Sequence, residues 1–259
     1  MSQKTKLTFS IVSHNNGNLV DKLIDNIQKT CNVCFELVLV VNVPENTDFL
    51  QKYQNLKIIT VYNQEIKGFG ENHNYAYTKS NGEFFIVLNP DIIIKKFDFE
   101  SFLNNFENKK VSICAPKVVN IDGIIQDSPR RFPTVYKLFK RRIFNNKILD
   151  YKIENKPISV DWVGGMFMAF TSQYFKEING FNERFFMYLE DTEICRETKR
   201  KNRLVIFDPN HSVIHHGAKK SRKELKYLLI HLKSLIIFLM FKKRKHALVL
   251  NINHKKKLQ

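Results

Sequence analysis

The sequence predicts an α/β protein built on a central, mostly parallel sheet flanked by helices. Short, β-branched apolar runs recur from Leu7 to Ser13, Phe35 to Val41, Leu56 to Tyr62 and Phe84 to Leu88. The segments between them are polar or carry helical spacing, as in Val20, Leu23, Ile24 and Ile27. Alternation of this kind builds parallel, doubly wound sheets. With 259 residues, 43% of them hydrophobic, the chain can bury a full core as one large domain with or without an appendage.

Taken in order, the Leu7 to Ser13 strand and the helix after it form a β-α start, and the second and third strands follow. The fourth strand ends abruptly in Asn89-Pro90-Asp91, and a fifth is expected from Val111 to Ala115. From Gln126 to Ile158 the pattern loosens. Pro129, Pro133 and Pro157 punctuate a stretch that carries Arg130, Arg131, Lys137, Lys140, Arg141 and Arg142. This reads either as a solvated loop or as a basic excursion near an anionic substrate. Order returns at Val160, where Asp161-Trp162-Val163-Gly164-Gly165 leads into the run from Met166 to Phe170. Paired glycines there permit close approach of a ligand or of another strand. A last strand from Leu204 to Phe207 is expected to end at the turn Asp208-Pro209-Asn210, with His211, His215 and His216 beyond it.

Lys and Arg number 42 against 25 Asp and Glu, a net charge of +17, and the excess is concentrated near the end. From Lys219 onward, 13 basic residues face one acid, Glu224. The chain therefore divides into 1–218, the main domain, and 219–259, a basic segment suited to an anionic surface such as phospholipid headgroups. Leu225, Leu228, Leu229, Leu232, Leu235, Ile236 and Leu239 make one apolar stripe beside Lys226, Lys233 and the cluster Lys242 to Lys245. The stretch is interrupted by His231 and Lys233 and falls short of the ~20 apolar residues of a membrane span. It reads as an amphipathic interfacial helix or as a helix packed on the domain. Cys31 and Cys34 lack the second pair that a structural zinc site needs, so reduced thiols are expected. Met1 to Lys6 lacks the apolar core of a secretion signal, and export is not expected.

Three polar clusters interrupt the apolar scaffold. Asp91 stands at a strand's carboxyl end, where open α/β sheets bind ligands; it can hold a hard cation against a diphosphate or simply cap the next segment. Glu190 and Asp191, with Glu193, emerge from Phe185-Phe186-Met187-Tyr188-Leu189 at the start of a helix. Desolvation raises a carboxyl's proton affinity and a helix amino terminus lowers it, so an acid between the two can serve as a general base; acids in a first turn also simply complement the helix dipole. His215 and His216 can complete a metal shell that a carboxylate begins.

Five segments carry a resemblance that covers most of the chain: Phe9-Ser10-Ile11-Val12-Ser13-His14-Asn15, Lys67-Gly68-Phe69-Gly70-Glu71-Asn72-His73-Asn74, Leu88-Asn89-Pro90-Asp91, Asp161-Trp162-Val163-Gly164-Gly165, and Gly180-Phe181-Asn182-Glu183-Arg184-Phe185-Phe186-Met187-Tyr188-Leu189-Glu190-Asp191. In this order they resemble the inverting glycosyltransferases of family 2, with the GT-A nucleotide-sugar fold, and especially the bacterial rhamnosyltransferase-like branch. The resemblance implies that Val12 and Ser13 line the nucleobase pocket with Asn42 nearby. It sets Gly68, Phe69, Asn72 and Asn74 along the ribose and diphosphate, and adds Asn89, Asp91, Trp162, Gly164 and Gly165 to the donor site. It also implies Mg²⁺ or Mn²⁺ on Asp91 and His215, Asp191 as the base, and Glu190 as a neighbour that orients the acceptor or the base. Asn89 stands where many members carry the first acid of an Asp-x-Asp motif, and Asn42 where many carry Asp; an amide at either place supplies no charge.

The implied reaction is inverting transfer of a sugar, L-rhamnose from dTDP-rhamnose, onto a lipid-linked or growing cell-surface polysaccharide such as O-antigen or capsule. UDP-hexose and UDP-galactofuranose are alternative donors. The implied partners are the nucleotide sugar, a glycan or polyprenyl-diphosphate-linked acceptor and an anionic membrane surface. The expected location is cytoplasmic, peripheral on the inner face of a bacterial membrane. A nucleic-acid-binding protein using Arg130 to Arg142 and the tail is a competing reading, but no recognisable nucleic-acid motif accompanies the charge and no nucleic-acid partner is expected. A non-catalytic subunit is disfavoured by the presence of both Asp91 and Asp191.

Overall fold

The computed structural model describes residues 5–126, 128–133, 150–216 and 225–240. Lys137, Lys140, Arg141 and Arg142 of the basic excursion, the 218/219 division and the Lys242 to Lys245 cluster lie outside the described residues.

One mixed sheet organises the described chain. Strands β1 (Leu7–Ser13), β2 (Phe35–Val41), β3 (Ile58–Tyr62) and β4 (Phe84–Leu88) run parallel in the order β3-β2-β1-β4. Strand β8 (Phe167–Thr171) inserts antiparallel between β4 and β6 (Val111–Val119). β9 (Leu204–His215) runs parallel to β6, and the two-residue strands β5 (Ile92–Ile93) and β7 (Ile158–Ser159) lie antiparallel along β9. This is the α/β architecture that the alternating pattern predicts.

The two-residue period of the strands sorts their side chains into two cores. Leu7, Phe9 and Ile11 of β1 pack with Val20, Leu23, Ile24 and Ile27 of α1 (Gly17–Thr30) and with Phe99, Phe102 and Leu103 of α3 (Phe99–Leu103). On the other face, Val38 and Val40 of β2 share a cluster with Ala76 of α2 (Phe69–Lys79), Tyr174 and Phe175 of α4 (Ser172–Glu177), and Ile194 and Cys195 of α5 (Glu190–Arg200). The edge where β1 and β4 begin is closed by polar side chains. Thr8 donates to Glu36 at 2.8 Å, Glu36 also accepts the Asn81 N–H, and Thr8 Oγ1 accepts the Gly82 N–H. A Cβ on Gly82 would lie 2.6 Å from the Thr8 nitrogen, so that corner is packed to backbone contact. The opposite edge is left for the site.

One expectation is corrected. The turn expected at Asp208-Pro209-Asn210 is a bulge inside one long strand: Asp208 pairs with Pro116, Ser212 pairs with Lys117, and β9 continues to His215. Asp208 causes the bend without ending the strand, because its carboxylate accepts from the Asn210 N–H, the Asn105 amide and the His211 ring. His211 thereby separates from His215 and packs against Phe97 and Phe102. Of the two readings of the terminal helix α6 (Leu225–Met240), packing through the apolar stripe is not the one the structure shows. Ser234 and Phe238 are buried, whereas Leu228, Leu229, Leu232, Ile236 and Leu239 are exposed. Among the described residues no helix is long and apolar enough to cross a membrane.

Candidate active site

Asp91 follows the Asn89-Pro90 turn at the end of β4, and the next two residues form β5. Because Ile92 pairs with His215, Asp91 is brought beside the end of β9: its Oδ2 lies 3.0 Å from His215 Nε2, and its carbonyl accepts the His216 N–H. Gln126 fixes the ring from the other side. Its Nε2 donates to the His215 carbonyl at 3.1 Å, which leaves Oε1 to accept from His215 Nδ1 at 2.7 Å. That assignment turns the Nε2 lone pair toward the Asp91 carboxylate, and two acceptors so close require a positive centre, a proton or a cation. The spacing suits an ion, since cis ligands held at about 2.1 Å around an octahedral cation lie about 3.0 Å apart. Among the described residues no group of three or more His, Cys, Asp and Glu side chains gathers as a metal cage. An ion here would draw two ligands from Asp91 and His215 and the others from water or ligand oxygens.

Asp191 sits in the first turn of α5, reached through Tyr188 and Leu189, both left-handed with φ of 71° and 66°. Two consecutive non-glycine residues in that region persist only where the surroundings over-determine them. Asp191 Oδ2 accepts the Gly165 N–H at 3.0 Å, and Oδ1 accepts from the backbone and hydroxyl of Thr192 at 2.6 and 3.1 Å. Burial pushes its carboxyl above the ordinary range, while these donors pull it back. Glu190 is pushed well above its ordinary range by burial and then by the Asp191 charge, and its buried Oε2 has no hydrogen-bond partner. Burial thus raises both carboxyls, Glu190 the further of the two, and the surrounding donors favour the charged form of Asp191.

Gly165 and Met166 join the two clusters. The Gly165 N–H holds Asp191, and the carbonyl of the next residue, Met166, accepts the Asn89 N–H at 3.0 Å. A Cβ on Gly165 would stand 3.3 Å from the Phe69 ring and 3.5 Å from Asp191 Cβ, so glycine there lets Asp191 lie close against the sheet edge. Asp91 and Asp191 therefore share one edge, where β4 ends and β8 begins.

The remaining predicted residues divide. Val12 and Ser13 end β1 and Asn42 follows β2, all at the same carboxyl edge. The Asn42 amide holds the Lys67 backbone, accepting its N–H at 2.9 Å and donating to its carbonyl at 3.0 Å. Asn63 Nδ2 donates to Asn42 Oδ1 at 2.9 Å and Asn72 Oδ1 at 2.6 Å, and Asn72 donates to the Gly68 carbonyl at 2.9 Å. Gly68 opens α2 against Phe186, where an added Cβ would meet the Phe186 carbonyl oxygen at 2.6 Å, and the Phe69 N–H donates to that oxygen at 2.8 Å. Asn74 is buried, and its amide bonds the Phe181 backbone on both sides and Glu183. It ties α2 to the Gly180 turn and offers the cleft no amide. Trp162 bridges Arg130 through the backbone and donates its indole N–H to the Arg131 carbonyl, while Gly164 donates to Ser128.

Three participants went unpredicted. Gln126 fixes His215 from far along the sequence, with no periodic signal. Asn63 follows β3 as Asn42 follows β2, a positional signal that could have found it. His73 is buried, with Ser10 Oγ 2.7 Å from its Nδ1; burial lowers its pKa to about 3, so it stays neutral as it ties α2 to β1.

Comparison with known proteins follows the same lines. The model for Glycosyl transferase family 2 matches residues 8–174. The chain is similar to rhamnosyltransferase WbbL of Escherichia coli K12, 28% identical over 252 residues that cover 90% of this chain and 92% of that protein. It is also similar to an N-acetylglucosaminyl-diphospho-decaprenol L-rhamnosyltransferase of Mycobacterium tuberculosis, 24% identical over 210 residues, covering 73% and 68%. Among solved structures, GalNAc-T7 with UDP, GalNAc and Mn²⁺ superposes at a TM-score of 0.66 with 16% identity, covering 81% of this chain and 43% of that one. The mannosyltransferase PcManGT of Pyrobaculum calidifontis, in complex with GDP-Man and Mn²⁺, gives 0.62 with 16% identity, covering 91% and 65%. The chain thus spans less than two thirds of either structure, and the likeness is one of fold: the GT-A fold.

Proposed function

The chain belongs to glycosyl transferase family 2, and from that premise we propose that this glycosyltransferase moves a sugar from a nucleotide diphosphate onto an acceptor hydroxyl with inversion, using Asp191 as base. One observation carries the reading: consecutive residues, Gly165 and Met166, hold the base and the Asp91 turn on one edge of the sheet. Asp191, its proton affinity raised by burial and its charged form steadied by three donors, accepts the hydroxyl proton as the acceptor oxygen attacks the anomeric carbon. Glu190, protonated beside it, keeps a second negative charge out of the pocket and presents an O–H that orients the base or the acceptor. Val12, Ser13 and Asn42 face the nucleoside, while Gly68, Phe69 and Asn72 shape the loop along the diphosphate, with Asn89, Trp162 and Gly164 lining the sugar side. Asp91 and His215 would hold Mg²⁺ or Mn²⁺, which when bound neutralises the charge that develops on the departing nucleoside diphosphate.

The proposed donor is dTDP-L-rhamnose and the proposed acceptor a polyprenyl-diphosphate-linked glycan of a cell-surface polysaccharide such as O-antigen or capsule. The rhamnosyl transfer in the names of both relatives supports the sugar, and the diphospho-decaprenol acceptor in one of them supports the lipid-linked acceptor. UDP-hexoses and UDP-galactofuranose are the competing donors. The basic terminal segment supports a peripheral location on the inner face of the cell membrane in this reading. Asp191→Asn tests it: turnover should fall by about 10²–10⁴-fold while nucleotide-sugar binding survives, and full turnover in that variant sinks the assignment. A thermal-shift screen of nucleotide sugars with Mg²⁺ or Mn²⁺ identifies the donor, since a ligand that binds only the folded state stabilises it in proportion to affinity.

A further inference from the structure

We propose that the Leu225–Met240 helix docks on an anionic membrane with one edge and with the other holds the turn that presents Asp191, so that lipid contact and acceptor activation are mechanically coupled. The link to activation rests on Asp191 being the base.

The buried edge makes the hold. Ser234 Oγ donates to the Met187 carbonyl at 2.7 Å, and the Tyr188 and His231 rings lie 5.1 Å apart. Arg196, on α5 with Asp191, donates to the Phe238 carbonyl at 2.9 Å and stands 3.8 Å over the Phe238 ring. The neighbouring carbonyl, that of Phe186, is held by the Phe69 N–H at the start of α2. Two consecutive carbonyls are therefore gripped from opposite sides, one by the donor loop and one by the terminal helix. Immediately beyond them come the left-handed Tyr188 and Leu189 and then the base. A turn in so sparsely populated a conformation needs such contacts to persist.

The open edge fits one partner. Leu229 is 58% exposed, Leu232 50%, Ile236 47% and Met240 71%, and water-soluble surfaces rarely leave so much apolar area uncovered. Lys226 and Lys233 are exposed on the same helix, and Lys242, Lys243, Arg244 and Lys245 follow in sequence. Apolar residues rimmed by one sign of charge match acyl chains below anionic headgroups. Lys226, His231 and Lys233 interrupt the apolar run with polar groups, which suits a helix lying along the surface.

The test uses the full chain and vesicles of phosphatidylglycerol with phosphatidylethanolamine, against phosphatidylcholine alone. Leu229→Glu/Leu232→Glu/Ile236→Glu should cut sedimentation with the anionic vesicles at least about tenfold. Amide exchange at residues 187–192 should slow when those vesicles bind, and Ser234→Ala should abolish the slowing. Ser234→Ala should also lower kcat about 3- to 10-fold, as losing one buried hydrogen bond does, with the KM for nucleotide sugar unchanged and Ser234→Thr restoring the rate. Wild-type sedimentation by the triple variant overturns the proposal. So does exchange at 187–192 that ignores lipid, or a wild-type dimer that the triple variant turns into monomer with neither binding vesicles. If Asp191→Asn keeps full turnover while lipid still slows exchange, the base assignment falls and the grip of the helix on the turn stands.

Discussion

The two halves of the sheet reach the same edge by different chemistry. The parallel strands β3, β2 and β1 end in uncharged groups: Asn42 and Asn72 hold the Lys67–Gly68 backbone through amide hydrogen bonds, and Asn63 donates to both of their side chains. The mixed half ends in ionisable groups, with Asp91 against His215 and Asp191 beside Glu190, the second pair mounted on a left-handed turn. Amides hold a loop at low electrostatic cost and can be satisfied within a short stretch of chain. Opposed acceptors and a buried carboxyl pair need support from distant segments, and here they draw it from Gln126, Gly165 and the terminal helix. A shape-giving region and a charge-handling region thus sit side by side, joined at Gly68 against Phe186 and at Gly165 against Asp191.

Beyond the collapse expected of Asp191→Asn, the comparison is broken most sharply at Gln126. Gln126→Ala frees the His215 ring and should weaken divalent-cation-dependent binding of nucleoside diphosphate by about 10- to 100-fold, read by titration calorimetry with and without Mn²⁺; equal binding in both would detach this pair from the diphosphate. The seam comes next. Gly68→Ala drives a Cβ into the Phe186 backbone and should cost about 1–3 kcal/mol of stability, with turnover down about tenfold. A melting curve and an initial-rate assay check both, and an unchanged variant would mean that the two halves are not locked there. The smallest effect is expected at Glu190. Its carboxyl is raised in the folded protein, so the protonated form is the one that folding favours. The stability it contributes is complete below the ordinary value of 4.5 and is lost as pH rises through the raised one. Glu190→Gln removes that loss. Its melting temperature should match wild type near pH 4 and exceed it by at least about 2 °C at alkaline pH, whereas a gap that shrinks with rising pH would show that Glu190 is not held protonated.

How much of this was legible follows from length scale. β1, β2 and β4 lie where their apolar runs predict, because buried strands of five to seven residues impose a period that sequence records. β5 is only two residues long and no period can announce it, yet it brings Asp91 to His215. Asp208-Pro209-Asn210 has the composition of a turn and predicts a strand end; the carboxylate that accepts from Asn105 and His211 turns it into a bulge instead. Motif order points to Asp91, Asp191 and His215 but not to Gln126, since nothing local marks a residue whose only signal is a partner across the sheet. The terminal stripe was visible and its orientation was not: amphipathic spacing says that a helix has two faces, and only Ser234 and Phe238 in place say which one is covered.

The short pairing of Ile92–Ile93 with Ile214–His215 also sets an order of assembly. Asp91, one half of the proposed cation pair, is made early in synthesis, and its counterpart His215 arrives only with the last strand of the sheet. A partly synthesised chain can form the parallel half and its amide-lined loop, yet on the proposed reading it cannot bind an ion and a diphosphate together. Ligand-linked stabilisation is therefore withheld until β9 closes, and a ribosome-bound chain arrested before residue 204 should fold its first strands without gaining any protection from Mn²⁺ and a nucleoside diphosphate.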